Sequence, residues 1–257
     1  MIKILAIIFF MLILVIGGDR GVVSLLSIIG NFLTFILMIW AMTAGLNPYL
    51  TTILGGVLIN CITLLYQNGK NIKTAAAFTA VCVVMFFLLG IVFLFCRHLH
   101  LEGLNEIEML SELSVFYSFT VRVNMHQVSI CLILIGLLGA VMDTAVSISS
   151  SLYEIAEAKQ RTPSELFHSG IVIGKDILST TVNTLYFAYI GEALMLMIYM
   201  NVYKYSLVKL LNSKAFLQDL SCILFSMIGC LLVIPVASFI SAAFFSDKKS
   251  VEDFMDC

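Results

Sequence analysis

Asp143 and Asp176 are carboxylates set inside apolar stretches of a very hydrophobic chain, and each heads a run of small polar side chains at helical spacing. Asp143, Ser147, Ser150, Ser151 and Glu154 recur at i, i+4, i+7/8 and i+11, which puts them on one helix face. Asp176, Ser179, Thr180, Asn183, Thr184 and Gly191 do the same one helix later. A charged group near the bilayer centre costs about 2.5–3.5 kcal/mol on insertion scales, so such residues face protein or a water-filled cavity. The two stripes are therefore expected to face each other or a common partner. A carboxylate among hydroxyls at that depth can exchange a proton or coordinate a cation as the bundle rocks. The competing reading is a hydrogen-bonded tie between two helices.

At about 1.5 Å per residue, Asp143 lies about 16 Å from the membrane interface marked by Glu154, and Asn183 about 12 Å beyond Lys175. The two thus reach similar depth. Lys175 is placed to pair with Asp143 or Glu154, or to snorkel to the interface. Asp176, near a helix start, is also favoured by the macrodipole. Glu192, just after Gly191, is a second candidate for a buried carboxylate. The candidate coupling residues are thus Asp143, Asp176, Asn183, Thr180, Lys175, Glu154 and Glu192, with Ser147, Ser150, Ser151, Ser179 and Thr184 completing the polar stripes. Asn60 is a further candidate for the same cluster. Gly136 and Ala140, at four-residue spacing, and Gly139 are expected to let helices approach closely.

Catalytic and metal patterns do not emerge from the same residues. There is no G-x-S-x-G elbow and no H-E-x-x-H pair, and Val141-Met142 before Asp143 is not the G-x-G run of intramembrane aspartyl proteases. His98 and His100 lack further ligands at metal spacing, and none of the seven cysteines forms a C-x-x-C pair. No enzyme activity, metal or cofactor is expected.

The elements that must position the stripes follow from composition. The 257 residues are 61% hydrophobic and 12% charged, with a mean hydropathy of +1.06, and several apolar runs exceed the length that marks a spanning helix. The expectation is an all-α polytopic bundle of about seven spans in a single membrane domain: 2–16, 22–43, 49–66, 74–96, 128–153, 171–199 and 220–245. Gly17-Gly18-Asp19-Arg20 reads as a turn between the first two, and Gly45-Leu46-Asn47-Pro48 as a turn into the third. Residues 97–127 carry Glu102, Glu106, Glu108 and Glu112 against helically spaced apolar residues, an amphipathic surface helix. Thr162-Pro163-Ser164-Glu165 has the pattern of a capped helix start. Pro235 is expected to kink the last span, and 246–257 is a charged tail. Placing the Lys70/Lys73 and Lys159/Arg161 loops in the cytoplasm follows the positive-inside rule. A net charge of −2 points away from nucleic acid.

The segments GAVMDTAVSISSSLYE, PSELFHSG and GKDILSTTVNTLYFAYIG, between Gly139 and Gly191, resemble the YibE/F family of bacterial membrane proteins, in particular its shorter, YibF-type members. The resemblance implies a multi-pass inner-membrane protein, often encoded beside a larger YibE-type relative; because the chain lacks an evident internal repeat, its path is expected to form with a second copy or with that relative. A fainter likeness links the Asp143-Thr144 helix to the protein-export subunits SecD and SecF and to RND-type exporters, of whose membrane domain the chain would be similar to one half. Those families place a second acidic group six residues on, where this chain has Ser149. The function these residues suggest is a subunit of a proton- or ion-coupled transporter; the alternative is a non-transporting assembly partner of a larger membrane complex.

Overall fold

Hydrocarbon offers a backbone no hydrogen-bond partners, so an apolar chain in lipid must satisfy its N–H and C=O groups within each crossing segment, and helices do this. A computed structural model of the chain describes residues 1–99, 125–158, 162–202, 204 and 206–246, and these are helical apart from short turns. The helices are α1 (Ile2–Thr43), α2 (Pro48–Asn60), α3 (Ile72–Leu99), α4 (Met125–Ala158), α5 (Pro163–Val202), α6 (Leu207–Leu211) and α7 (Lys214–Ser246). A π-helical turn, Cys61–Gln67, extends α2. Among the described residues, five stretches are long and apolar enough to cross a membrane: Ile2–Thr43, Pro48–Gln67, Ile72–His98, Gln127–Ala158 and Lys214–Ser246.

That count and the seven runs read from the sequence differ at two places. Runs 2–16 and 22–43 are two helical rods counted together as Ile2–Thr43, and they meet at a kink in the expected turn, where Gly18 takes φ 52 and ψ −134. Glycine reaches this region without a Cβ clash, so the chain changes direction with no intervening loop. The bend brings the Ile13 carbonyl onto Gly21, although a straight helix would hold them about 12 Å apart along its axis. The second place is α5, whose 40 residues take in the expected run 171–199. It also starts at Pro163, eight residues ahead of the expected 171. Of the expected amphipathic segment 97–127, residues 100–124 lie outside the described part, as do 247–257 of the tail.

Local signals set several ends as expected. Gly45 takes φ 93, and Asn47 caps α2 by accepting from the Tyr49 N–H at 3.0 Å, with Pro48 next in line. Thr162 and Glu165 form a reciprocal capping box: the Thr162 N–H donates to the Glu165 carboxylate at 3.1 Å and the Glu165 N–H to the Thr162 hydroxyl at 3.4 Å. Pro235 stands inside α7 without ending it.

Because lipid is as apolar as leucine, helices in a bilayer associate through close fit rather than through apolar burial. The fit centres on α3, α4 and α7. Ala76, Ala77, Ala80, Val84 and Leu88 of α3, Leu137, Val141, Ile148 and Leu152 of α4, and Val233 and Ala237 of α7 are fully or almost fully buried there. Phe95 meets Phe225 and Tyr153 meets Phe245 edge to face, an arrangement that suits the ring quadrupoles. The second rod of α1 pairs with α2 through Asn31 and Thr63, whose side chains bond at 2.9 Å. The first rod packs least: between Met1 and Arg20 only Ala6 and Ile13 are partly covered.

The closest backbone approaches fall at glycines other than Gly136 and Gly139. Gly139 has open space around it and Gly136 meets only the Tyr189 hydroxyl, at 3.7 Å, whereas Gly170 sits on Ser238, Gly174 on Ile234 and Gly229 on Val141. Gly170 and Gly174 make a G-x-x-x-G seam that seats α5 on α7. Gly174→Leu is expected to cost about 1–3 kcal/mol by overpacking that seam, whereas Gly139→Ala should be neutral or stabilise by up to about 1 kcal/mol. Unfolding of the purified protein in detergent checks both. Thr162→Ala should cost about 1 kcal/mol, read as faster amide exchange in the first turn of α5.

Candidate functional site

The candidate residues stand on two antiparallel helices, α4 and α5, whose register follows from two contacts. Leu152 lies against the Gly170 position and Gly136 against the Tyr189 hydroxyl. Interpolating between them at constant rise puts Asp143 level with Thr180 and Thr181. The structure thus brings the two stripes to one depth, and Asp143 falls well inside α4, 15 residues before its last residue, Ala158.

Their direction differs from expectation. Val141, Ala145, Ile148 and Leu152 turn into the bundle, so the face carrying Asp143, Ser147 and Glu154 turns out of it; these three are exposed, and Ser150 and Ser151 are half-buried. On α5, Gly170 and Gly174 face α7, and Lys175, Asp176, Ser179, Thr180, Asn183, Thr184 and Gly191 are all exposed. Both stripes lie on the outer surface of the chain. The anchoring that seats each helix dictates this, because the small and apolar positions claim the inward faces.

Hydroxyls on the stripes are satisfied by their own helices. Ser147 donates to the Asp143 carbonyl at 2.8 Å, Thr180 to the Ile177 carbonyl at 2.9 Å and Thr184 to the Thr180 carbonyl at 2.9 Å. The Asp143 and Asp176 carboxylates, the Asn183 amide and the Lys175 ammonium have no hydrogen bond or ion pair among the described residues. The expected pairing of Lys175 with Asp143 or Glu154 is therefore not made within the chain. Glu192 belongs to α5, but its side chain lies outside the described part, as does His100.

Asn60 does not join the cluster. It is 1% exposed, and its amide donates to the Phe78 carbonyl and the Cys82 sulfur, both at 3.4 Å. With Thr52 it lines an apolar cavity of about 160 Å³ that includes Leu134 and Leu138. At about 100° per residue those leucines stand some 140–180° around α4 from Asp143, so Asn60 works on the opposite face. Buried polar residues of α4 serve packing instead: Ser149 donates to the Lys73 carbonyl at 2.7 Å and ties α4 to the first turn of α3.

A second polar region was not evident in the sequence. Arg20 at the bend of α1, Gln67, Asn68 and Asn71 around the α2–α3 turn, Lys73 of α3 and Ser150 of α4 line a recess of about 460 Å³. Its two cations are remote in sequence and meet only because α1 bends at Gly18 and α2 returns beside it. The Gly170/Gly174 spacing, by contrast, was present to be read.

No curated protein and no solved structure matches the chain, so the likeness to SecD, SecF and RND-type exporters gains no support. The segments around Asp143 and Asp176 stand differently. A family model described as YibE/F-like protein matches residues 5–247, which takes in both stripes, the bent α1 and the α5–α7 seam, and the chain belongs to that family.

Proposed function

We propose that the chain is a subunit of a proton- or ion-coupled transporter in a bacterial cell membrane, and that its coupling path lies on its outer face, closed by a partner. The observation that carries this reading is the outward α4–α5 surface. An Asp143 carboxylate without a hydrogen-bond or ion-pair partner among the described residues stands level with Thr180, on the same outward surface as Asn183 and Asp176, which likewise have none there. Bare lipid against such a face is costly at mid-bilayer, and polar residues there are settled by facing protein or a water-filled path. A second copy of the chain or a larger YibE-type relative would supply the opposing wall. Asp143 would carry the proton or ion, Thr180 and Asn183 would hydrogen-bond to it, and Lys175 and Glu154 would stand toward the cytoplasmic end.

The same surface supports a second reading, a non-transporting subunit that uses the stripes as a polar seam to assemble a larger complex. The two readings separate on one substitution. In liposomes holding the purified protein with its partner, Asp143→Asn should abolish proton flux while the complex still forms, because Asn keeps the shape and hydrogen bonds but cannot take up or release a proton. No flux from the wild-type complex, with assembly weakened by the substitution, would favour the seam and sink the coupling role.

A further inference from the structure

The recess between the α1 bend and the α2–α3 turn is built from four parts of the chain. Arg20 comes from the start of the second rod of α1, which is tied to the turn by Gln67 Nε2 donating to the Ser24 hydroxyl at 3.4 Å. The turn is held by Thr74, whose hydroxyl accepts from the Asn71 N–H at 3.0 Å and lies 2.8 Å from the Gly69 carbonyl. Lys73 lies with its ammonium 5.8 Å from the centre of the Tyr153 ring, and its carbonyl is fixed by Ser149. Backbone and side chain are thus both anchored against α4.

Two cations share this recess, and among the described residues no carboxylate lines it. Among the described residues neither Arg20 nor Lys73 makes an ion pair. Like charges converging on one space repel, an arrangement that an anion between them relieves. The side-chain amides of Gln67, Asn68 and Asn71 add N–H donors on the same walls. The level is that of a membrane boundary, since Arg20 separates two apolar rods and the turn joins two crossing helices. We propose that this recess binds a phosphate group. Arg20 and Lys73 supply the charge, with the guanidinium fork matched to phosphate oxygens, and the amides complete the coordination. The phosphate belongs either to an anionic phospholipid headgroup or to a soluble ion. The site is independent of the coupling role given to Asp143.

The test uses the full-length protein in phosphatidylcholine nanodiscs, without and with added phosphatidylglycerol, and separately titrated with inorganic phosphate. Wild type is compared with Arg20→Gln/Lys73→Gln and with Lys3→Gln/Lys204→Gln, which removes the same charge from two exposed positions elsewhere. A rise in thermal stability with phosphatidylglycerol that the first variant loses and the second keeps assigns the site to a headgroup. Calorimetric binding of inorganic phosphate that weakens about tenfold or more only in the first variant assigns it to a soluble ion. If that variant does not fold, Val23→Trp, which fills the recess from a half-buried lining position, must abolish the same signal. Absence of both signals in the wild type, or equal loss in both double variants, overturns the proposal.

Discussion

Lipid cannot hydrogen-bond, and this single property of the solvent governs both the backbone and the side chains of the chain. For the backbone it leaves helices as the available form, and even the abrupt change of direction in α1 is made at one glycine, Gly18, without an open loop. For side chains it divides polar residues into those with an answer inside the chain and those without. Ser147, Thr180 and Thr184 bond to carbonyls of their own helices, and Ser149 reaches across to α3. Asp143, Asp176 and Asn183 have no such answer among the described residues. A carboxylate cannot donate to a helix carbonyl once ionised, and this chemical difference separates Asp143 from the serines that flank it.

Close packing decides which of these groups turn outward. Helices in a bilayer gain little from hiding leucine from lipid, so their contacts are chosen by fit. On α5 the fit is made by Gly170 and Gly174 against Ser238 and Ile234, and the polar positions from Lys175 to Thr184 are left on the other side. On α4 the inner face is a ladder of Val141, Ala145, Ile148 and Leu152. The outward stripe is thus what remains once small and apolar residues have taken the interior, and its polarity sets this face apart from one suited to acyl chains alone.

The helical class, the apolar runs, the turn into α2 at Pro48, the Thr162 cap and the spacing of both stripes were legible because each depends on neighbours close in the chain. Two aspects were not. Whether a polar stripe points inward or outward depends on which opposing residues compete for the interior, and Gly170 and Gly174 win that competition through contacts with a helix some sixty residues further on. The recess depends on Arg20 and Lys73 meeting across a bend, which no local pattern encodes. Asn60 shows the same limit from the other side: its depth in a span suggested a place beside Asp143, but its helix packs on the far face of α4.

The two polar regions are connected through α4. Ser150 lines the recess and also stands seven residues from Asp143, about 10 Å along the axis and within about 20° of the same direction. Ser147 lies between them. The outward stripe therefore leads from the mid-membrane carboxylate to the basic recess at the boundary, with a hydroxyl at each turn. The recess holds two positive charges and the carboxylate one negative charge when ionised, so the field along the stripe favours an anion at the boundary and a proton or cation at depth. The two proposed sites rest on separate observations, but charges about 10 Å apart in a low-dielectric slab are not fully screened from each other.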